Sequence, residues 1–383
     1  MCSGICILRL MQDKAQLKYI IALPLLPEVG LRTARNFIEY FGSAEAVFCA
    51  SEADLLGIPN ARPESIRNIL SQREPALQRA EKELDFIEKN GIDTYYYLDT
   101  DYPYRLRECV DAPILLFGKG NLSLNNGKFL SVVGTRMPSD RGKQLCTEII
   151  EQLAKSVSCL TIVSGLAYGI DVTAHKAAIS SGIPTIIIPG HGLDRIYPAV
   201  HRQVAVNSLE NGGILTEYMS GTQPDKQNFV ARNRIIAGLS DATLVVESKV
   251  KGGSLITADM ANGYSRDVFA VPGRPQDVQS AGCNGLIKQQ KAALVECADD
   301  ILAAMQWETD SHKEDLQTEL FTDLSEVELQ LLTLLRQHPD GIHVNLLVME
   351  TKRPYSEITS TLMLMEMKGI VRSLPGSIFR AAK

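Results

Sequence analysis

The chain has 383 residues, 45% of them hydrophobic and 22% charged, which is enough to build two to four domains with full cores and no need for cross-links. Its net charge of −6 excludes a protein that coats duplex DNA by bulk positive charge. No run of apolar residues is long enough for a spanning helix, and the N-terminus lacks the basic start and cleavage site of a signal peptide, so no membrane partner and a cytoplasmic location are expected.

Residues 16–70 read as helices, with apolar positions recurring at three and four. Two turns punctuate them, Pro27-Glu28-Val29-Gly30 and Gly57-Ile58-Pro59-Asn60. The first resembles the turn of a helix-hairpin-helix, where backbone N–H groups meet a phosphate. The second has Ala61 where a closing Gly belongs. A DNA clamp and a packing role both remain open here. A helix from about 74 to 90 ends at Asn90-Gly91, and a loop-rich stretch follows from Tyr95 to Asp111.

From residue 129 strands and helices alternate. The strands expected are Phe129–Val133, Leu160–Val163, Thr185–Ile188, Ile214–Glu217, Thr243–Glu247 and Val268–Val271. Continuous Val/Ile/Leu runs suit strands covered on both faces, so the expected fold class is α/β, a Rossmann-like doubly wound parallel sheet. Residues 304–324 read as an acidic linker. Three helices (Ser325–Arg336, Val344–Met349, Ser356–Met367) and a hairpin from Gly369 to Phe379, with Pro375-Gly376 at its tip, form a winged-helix pattern. Its third helix carries Glu357 and Glu366, with Lys368 just beyond its end, which favours a partner contact or a degenerate role over base reading. The expected domains are 1–90, helical (helix-hairpin-helix or SAM-like); 91–303, Rossmann-like; 304–324, linker; and 325–383, winged helix.

The eight cysteines form no C-x-x-C pair, and even Cys2 and Cys6 lack downstream ligands, so reduced, mostly buried thiols and no metal are expected. In an open parallel sheet, ligands bind beyond the carboxyl ends of the strands. There the sequence places Gly134-Thr135-Arg136, Ser164-Gly165, Pro189-Gly190-His191-Gly192, Lys251-Gly252-Gly253-Ser254 and Pro272-Gly273-Arg274. Glycines let backbone N–H groups reach an anion, helix starts add partial positive charge, and Thr135, Ser164 and Ser254 offer hydroxyls. Arg136, Arg232, Arg234 and Lys251 add full charges.

In the Phe229-Val230-Ala231-Arg232-Asn233-Arg234 run the two arginines face different sides of a helix start. One can hold phosphate while the other braces a carboxylate, and Arg234 could equally pair with Glu217 or Glu247. Phe229 suits either the core or stacking on a base. His175, four residues after Asp171, reads as a structural hydrogen-bonding residue. No Walker loop, nucleophile elbow or dinucleotide G-x-G-x-x-G is present, so no cofactor is expected.

The segments GTRMPSDRG (134–142), SGLAYGIDVTAH (164–175), GHGLDRIYP (190–198), FVARNRIIAGLSDATLVVES (229–248), GGSLITADMA (252–261) and VFAVPGRP (268–275) resemble the DNA-processing protein A family, DprA/Smf. The resemblance implies a non-enzymatic recombination mediator of natural transformation. Such a protein binds single-stranded DNA, forms a homodimer and loads the RecA recombinase. Carried over, it implies DNA contacts from Gly134, Thr135, Arg136, Ser164, Gly165, Phe229, Arg232, Asn233, Arg234, Lys251, Gly253 and Ser254. Two departures stand out: Tyr168, where many members carry Arg or another residue, and Lys288-Gln289-Gln290-Lys291-Ala292 in a region tied to the family's dimer contact. The rival reading is a nucleotide hydrolase or glycosidase on the same glycine-rich rim, with Glu217 or Asp171 as its acid.

Overall fold

A computed structural model describes residues 15–59, 62–307, 325–338, 341–368, 370–374 and 377–381. The chain forms two units, residues 1–308 and 309–383. Cys2, Cys6, Asn60, Ala61, Gly369, Pro375, Gly376 and most of the expected linker lie outside the described residues.

The first unit begins with helices whose ends are set by local chemistry. Leu31–Phe41 stops at Gly42, which takes the left-handed conformation a C-terminal stop requires. Ser43 caps Ala44–Cys49 by accepting from the Ala46 amide at 3.1 Å. Ser51 and Asp54 form a reciprocal capping box on Glu52–Leu56. The next helix, Pro63–Asn90, starts earlier than the expected residue 74 and carries Pro75 in its interior. Pro75 has no N–H to donate, but Ile66, Ile69, Ala76, Ala80 and Ile87 bury one continuous side of the helix and hold it through that point. The core beneath it also takes in Ile114, Leu115 and Phe117, so the helices pack directly on one edge of the sheet. Buried Glu83 adds a polar tie, bonding Arg79 within the helix and accepting from the Ser220 amide at 2.8 Å.

The sheet has nine strands: β1 (Asp93–Tyr96), β2 (Leu115–Asn121), β3 (Lys128–Val133), β4 (Leu160–Ser164), β5 (Thr185–Ile187), β6 (Gly212–Thr216), β7 (Ala242–Val245), β8 (Asp267–Ala270) and β9 (Ala293–Leu294), in the order β1-β2-β6-β5-β4-β3-β7-β8-β9. All six expected strands are present. The seven from β6 to β9 run parallel, and β1 and β2 add an antiparallel edge ahead of Phe129, where no strand was expected. Phe129, Leu130, Val132, Ile162, Val163, Leu244 and Val245 are almost wholly buried, as strands covered on both faces must be. The chain winds outward from β3 through β4, β5 and β6, then returns to lay β7 on the other side of β3. The switch in winding direction therefore falls between β3 and β7.

The second unit contains helices Glu326–Gln337, Val344–Thr351 and Tyr355–Met367, and a three-stranded sheet of β10 (Ile342–His343), β12 (Ile378–Ala381) and β11 (Val371–Leu374). Leu331, Leu335, Leu347, Ile358, Leu362 and Met365 form its core. Lys368 is taken up by Glu328 at 2.7 Å, and Glu357 by Arg353 at 2.8 Å. The exposed side of the third helix presents Ser360, Met363 and Leu364 rather than cations.

Candidate nucleic-acid interface

At the β3/β7 switch point a groove of about 490 Å³ opens beyond the strand ends. Its walls come from the loop after β3 (Gly134, Thr135, Arg136), the loop after β7 (Ser248, Lys249, Lys251, Gly252), the start of helix Gly253–Gly263, and one side of helix Lys226–Leu239. Glu247, buried at the end of β7, fixes the first two walls to each other. Its carbonyl accepts from the Thr135 amide at 2.7 Å, and its carboxylate accepts from the Ser139 amide at 2.8 Å and from the Ser139 hydroxyl. Ser139 in turn caps helix Asp140–Ser156. Helix Gly253–Gly263 starts with no side-chain cap, so its first N–H groups remain available at the rim.

The groove is cationic. Arg136, Lys226, Lys249 and Lys251 are exposed around it, and none has an ion-pair partner among the described residues. Asp171 is the carboxylate in its lining. It accepts from the Ala167 amide at 3.3 Å; burial pushes its carboxyl up, and Arg232 pulls the other way.

Arg232 forms part of the groove wall and is only 4% exposed. Its Nε and Nη1 have no hydrogen-bond partner. Burial lowers its pKa to about 10, opposed chiefly by Asp171, so it stays charged at neutral pH. A buried cation with unused donors invites an anion. Its seat depends on Gly165, where a β-carbon would lie 1.5 Å from Nη1. Phe229 lies between two guanidinium groups, Arg136 at 6.0 Å and Arg232 at 5.9 Å from its ring, and stacks on Tyr197. Gly190 leaves room for that ring, since a β-carbon there would meet it at 2.7 Å.

Nine of the expected site residues line this groove: Gly134, Thr135, Arg136, Phe229, Arg232, Asn233, Lys251, Gly253 and Ser254. Gly165 lies beside it, making room rather than contact. Ser164 is fully buried and donates to the Val132 carbonyl at 2.6 Å, so its hydroxyl faces the sheet. The Ser254 hydroxyl is spent on Ser248 at 2.9 Å. Arg234 points to the other side of its helix and pairs with Glu217, whose carboxyl is pushed up by burial. Of the two roles open to Arg234, the ion pair is the one the structure forms.

His175 is buried and bonds Thr185 through Nδ1 at 2.7 Å, as a structural residue should. Among the described residues no cluster suits a metal. Cys49, Cys109, Cys146, Cys159, Cys283 and Cys297 are free thiols, but only Cys109, Cys146 and Cys283 are buried, fewer than expected. At the N-terminal turn it is Glu28, held by Ser65 at 2.6 Å, that takes the left-handed conformation. Its carboxylate is ill suited to clamp a phosphate.

Sequence reasoning missed Lys226, Lys249 and Tyr197, and noted Tyr168 only as a departure. The two lysines had a legible signal: Lys226 is one helical turn before Phe229, and Lys249 alternates with Lys251. Tyr197 had none, because only the fold lays the loop after β5 against helix Lys226–Leu239.

The family model for DNA recombination-mediator protein A matches residues 93–306, and that for the DprA winged helix domain matches residues 318–377. The chain is 44% identical to DNA processing protein DprA of Streptococcus pneumoniae over 214 residues, 56% of this chain and 74% of that protein. It is 34% identical to Protein Smf of Escherichia coli, covering 82% of this chain and 86% of that one. Among solved structures, DNA processing protein A from S. pneumoniae superposes with a TM-score of 0.64 at 36% identity, covering 75% of this chain and 97% of that one. DNA processing protein A from Helicobacter pylori, whose structure is described for its single-stranded DNA binding mode, gives 0.51 at 29% identity, covering 56% and 95%. A match over more than half its length, in the domain that carries the groove, places this chain in the DNA recombination-mediator protein A family.

Proposed function

We propose that the protein binds single-stranded DNA in the groove at the β3/β7 switch point, acts as a homodimer, and passes the strand to RecA during DNA uptake. The observation that carries this reading is five cations, Arg136, Lys226, Arg232, Lys249 and Lys251, converging on one cleft that holds a single carboxylate, in a chain whose net charge is −6. Such a cleft attracts phosphates locally without a global field. A narrow cleft flanked by an aromatic ring suits a flexible single strand, which can bend its backbone inward, better than a stiff duplex. The named activity of the H. pylori relative supports this ligand, and the family's description as recombination mediators supports the handover.

The groove works by binding rather than by breaking bonds. Glu217, one of the two acids a glycosidase would need, is locked to Arg234 away from the cleft, and Asp171 is tied to the Ala167 amide. The test is competition: a labelled oligo-dT strand bound to the protein should be displaced by unlabelled single strands and not by an equal mass of duplex. RecA ATPase on the bound strand should then start faster than on the same strand coated with a non-mediating binder. Displacement by duplex as readily as by single strands would refute the ligand assignment.

A further inference from the structure

Next to the phosphate groove lies a second, smaller cleft lined by Arg136, Gly165, Ala167, Tyr168, Tyr197, Pro198, Phe229 and Arg232. The two clefts share Arg136, Ala167, Phe229 and Arg232, so they form one continuous surface. Its far side is aromatic. Tyr168 and Tyr197 remain 50% and 48% exposed, yet both are held firmly from behind. The Tyr168 ring meets the His201 ring edge-on at 4.9 Å, and buried His201 bonds the Leu166 carbonyl through Nδ1 at 2.9 Å. The Tyr197 amide donates to Nε2 of buried His191 at 3.2 Å, while Nδ1 of His191 donates to the Gly192 carbonyl at 2.8 Å. The Tyr197 ring stacks on Phe229 with centroids 5.8 Å apart and planes 26° from parallel.

Two rings fixed in place, each half in water, beside a cationic groove form a preorganised stacking surface. We infer that Tyr168, Tyr197 and Pro198 form a shelf that takes the nucleobase adjoining the phosphate held in the groove. This rests on the single-strand reading above and adds a base subsite to it. Tyr197 and Phe229 already contact one another, so the base lies on the solvent side of Tyr197, against Tyr168, and not between the two rings. No carboxylate or amide side chain lines the shelf to read a base edge, so stacking there accepts all four bases.

The test compares the full chain on two labelled strands of equal length and charge, oligo-dT and the same sugar–phosphate chain with every base replaced by an abasic tetrahydrofuran. The wild type should bind dT more tightly. Tyr168→Ala with Tyr197→Ala should lower affinity for dT about tenfold, the scale of one lost stacking contact, and leave the abasic strand and the salt slope unchanged. Tyr197→Phe should bind both strands as the wild type does. A 2-aminopurine base in the strand gives a readout on the unmutated protein: its fluorescence should be quenched on binding. Equal affinity of the wild type for both strands, equal losses on both in the double variant, or unquenched 2-aminopurine would overturn the shelf and leave the groove standing. Failure of the wild type to bind either strand would overturn the groove reading itself.

Discussion

Arg232 carries its charge into the protein interior with two nitrogens unbonded. That arrangement is unfavourable in the free protein and becomes favourable once an anion fills the groove. Gly165→Ala places a methyl group where the guanidinium sits, so it should weaken single-strand binding about tenfold or more while the protein still folds, as judged by circular dichroism and titrated anisotropy. Arg136→Ala and Lys251→Ala remove exposed charges and should weaken binding equally for dT, dC and mixed strands. Each should also shrink the salt slope by about 0.7, the loss of one phosphate contact on a single strand. A loss confined to one sequence would assign these side chains to base reading instead. Arg232 and Arg234 show how far a residue pattern can be read: two positions apart on a helix must diverge, which the sequence revealed. Which of them faces Glu217 depends on where β6 ends, and only the folded sheet decides that.

Helix Ile170–Ser180 links the loop after β4 to the sheet through His175, whose Nδ1 bonds Thr185. Burial lowers the His175 pKa from its usual 6.5 to about 3, so the native helix holds it neutral while the unfolded chain protonates it. Stability from this residue is therefore complete above pH 6.5 and is lost as pH falls from 6.5 toward 3, by up to about 1.4 kcal/mol per pH unit for one proton. Urea unfolding between pH 7 and 4.5 should show this decline, and His175→Gln should flatten it; an unchanged slope in the variant would move the effect elsewhere. At this scale the sequence was most readable where burial is complete. Runs such as Phe129–Val133 and Leu160–Val163 can only be central strands. The edge was not readable: β1 is Asp-Thr-Tyr-Tyr, too short to show a period, and Gly118 and Gly120 break the pattern of β2. The helix expected from about 74 begins at Pro63, because nothing in the sequence announces that packing will carry a helix past Pro75.

Taken whole, the molecule keeps its cationic groove in the first unit, while the winged-helix unit has its Lys368 and Arg353 engaged by carboxylates. A chain ending after residue 307 should therefore keep its single-strand affinity within about twofold, since no groove residue is removed; a larger loss would bring the winged helix into the DNA contact. The third helix of that unit exposes Met363 and Leu364. Binding in the proposed groove is driven by phosphates. This is tested most directly by fluorescence anisotropy of labelled poly-dT against the whole protein across a salt series, with Arg136→Ala alongside. The logarithm of affinity should fall linearly with the logarithm of salt, with a shallower line for Arg136→Ala. Affinity indifferent to salt, or parallel lines for the two proteins, would contradict it.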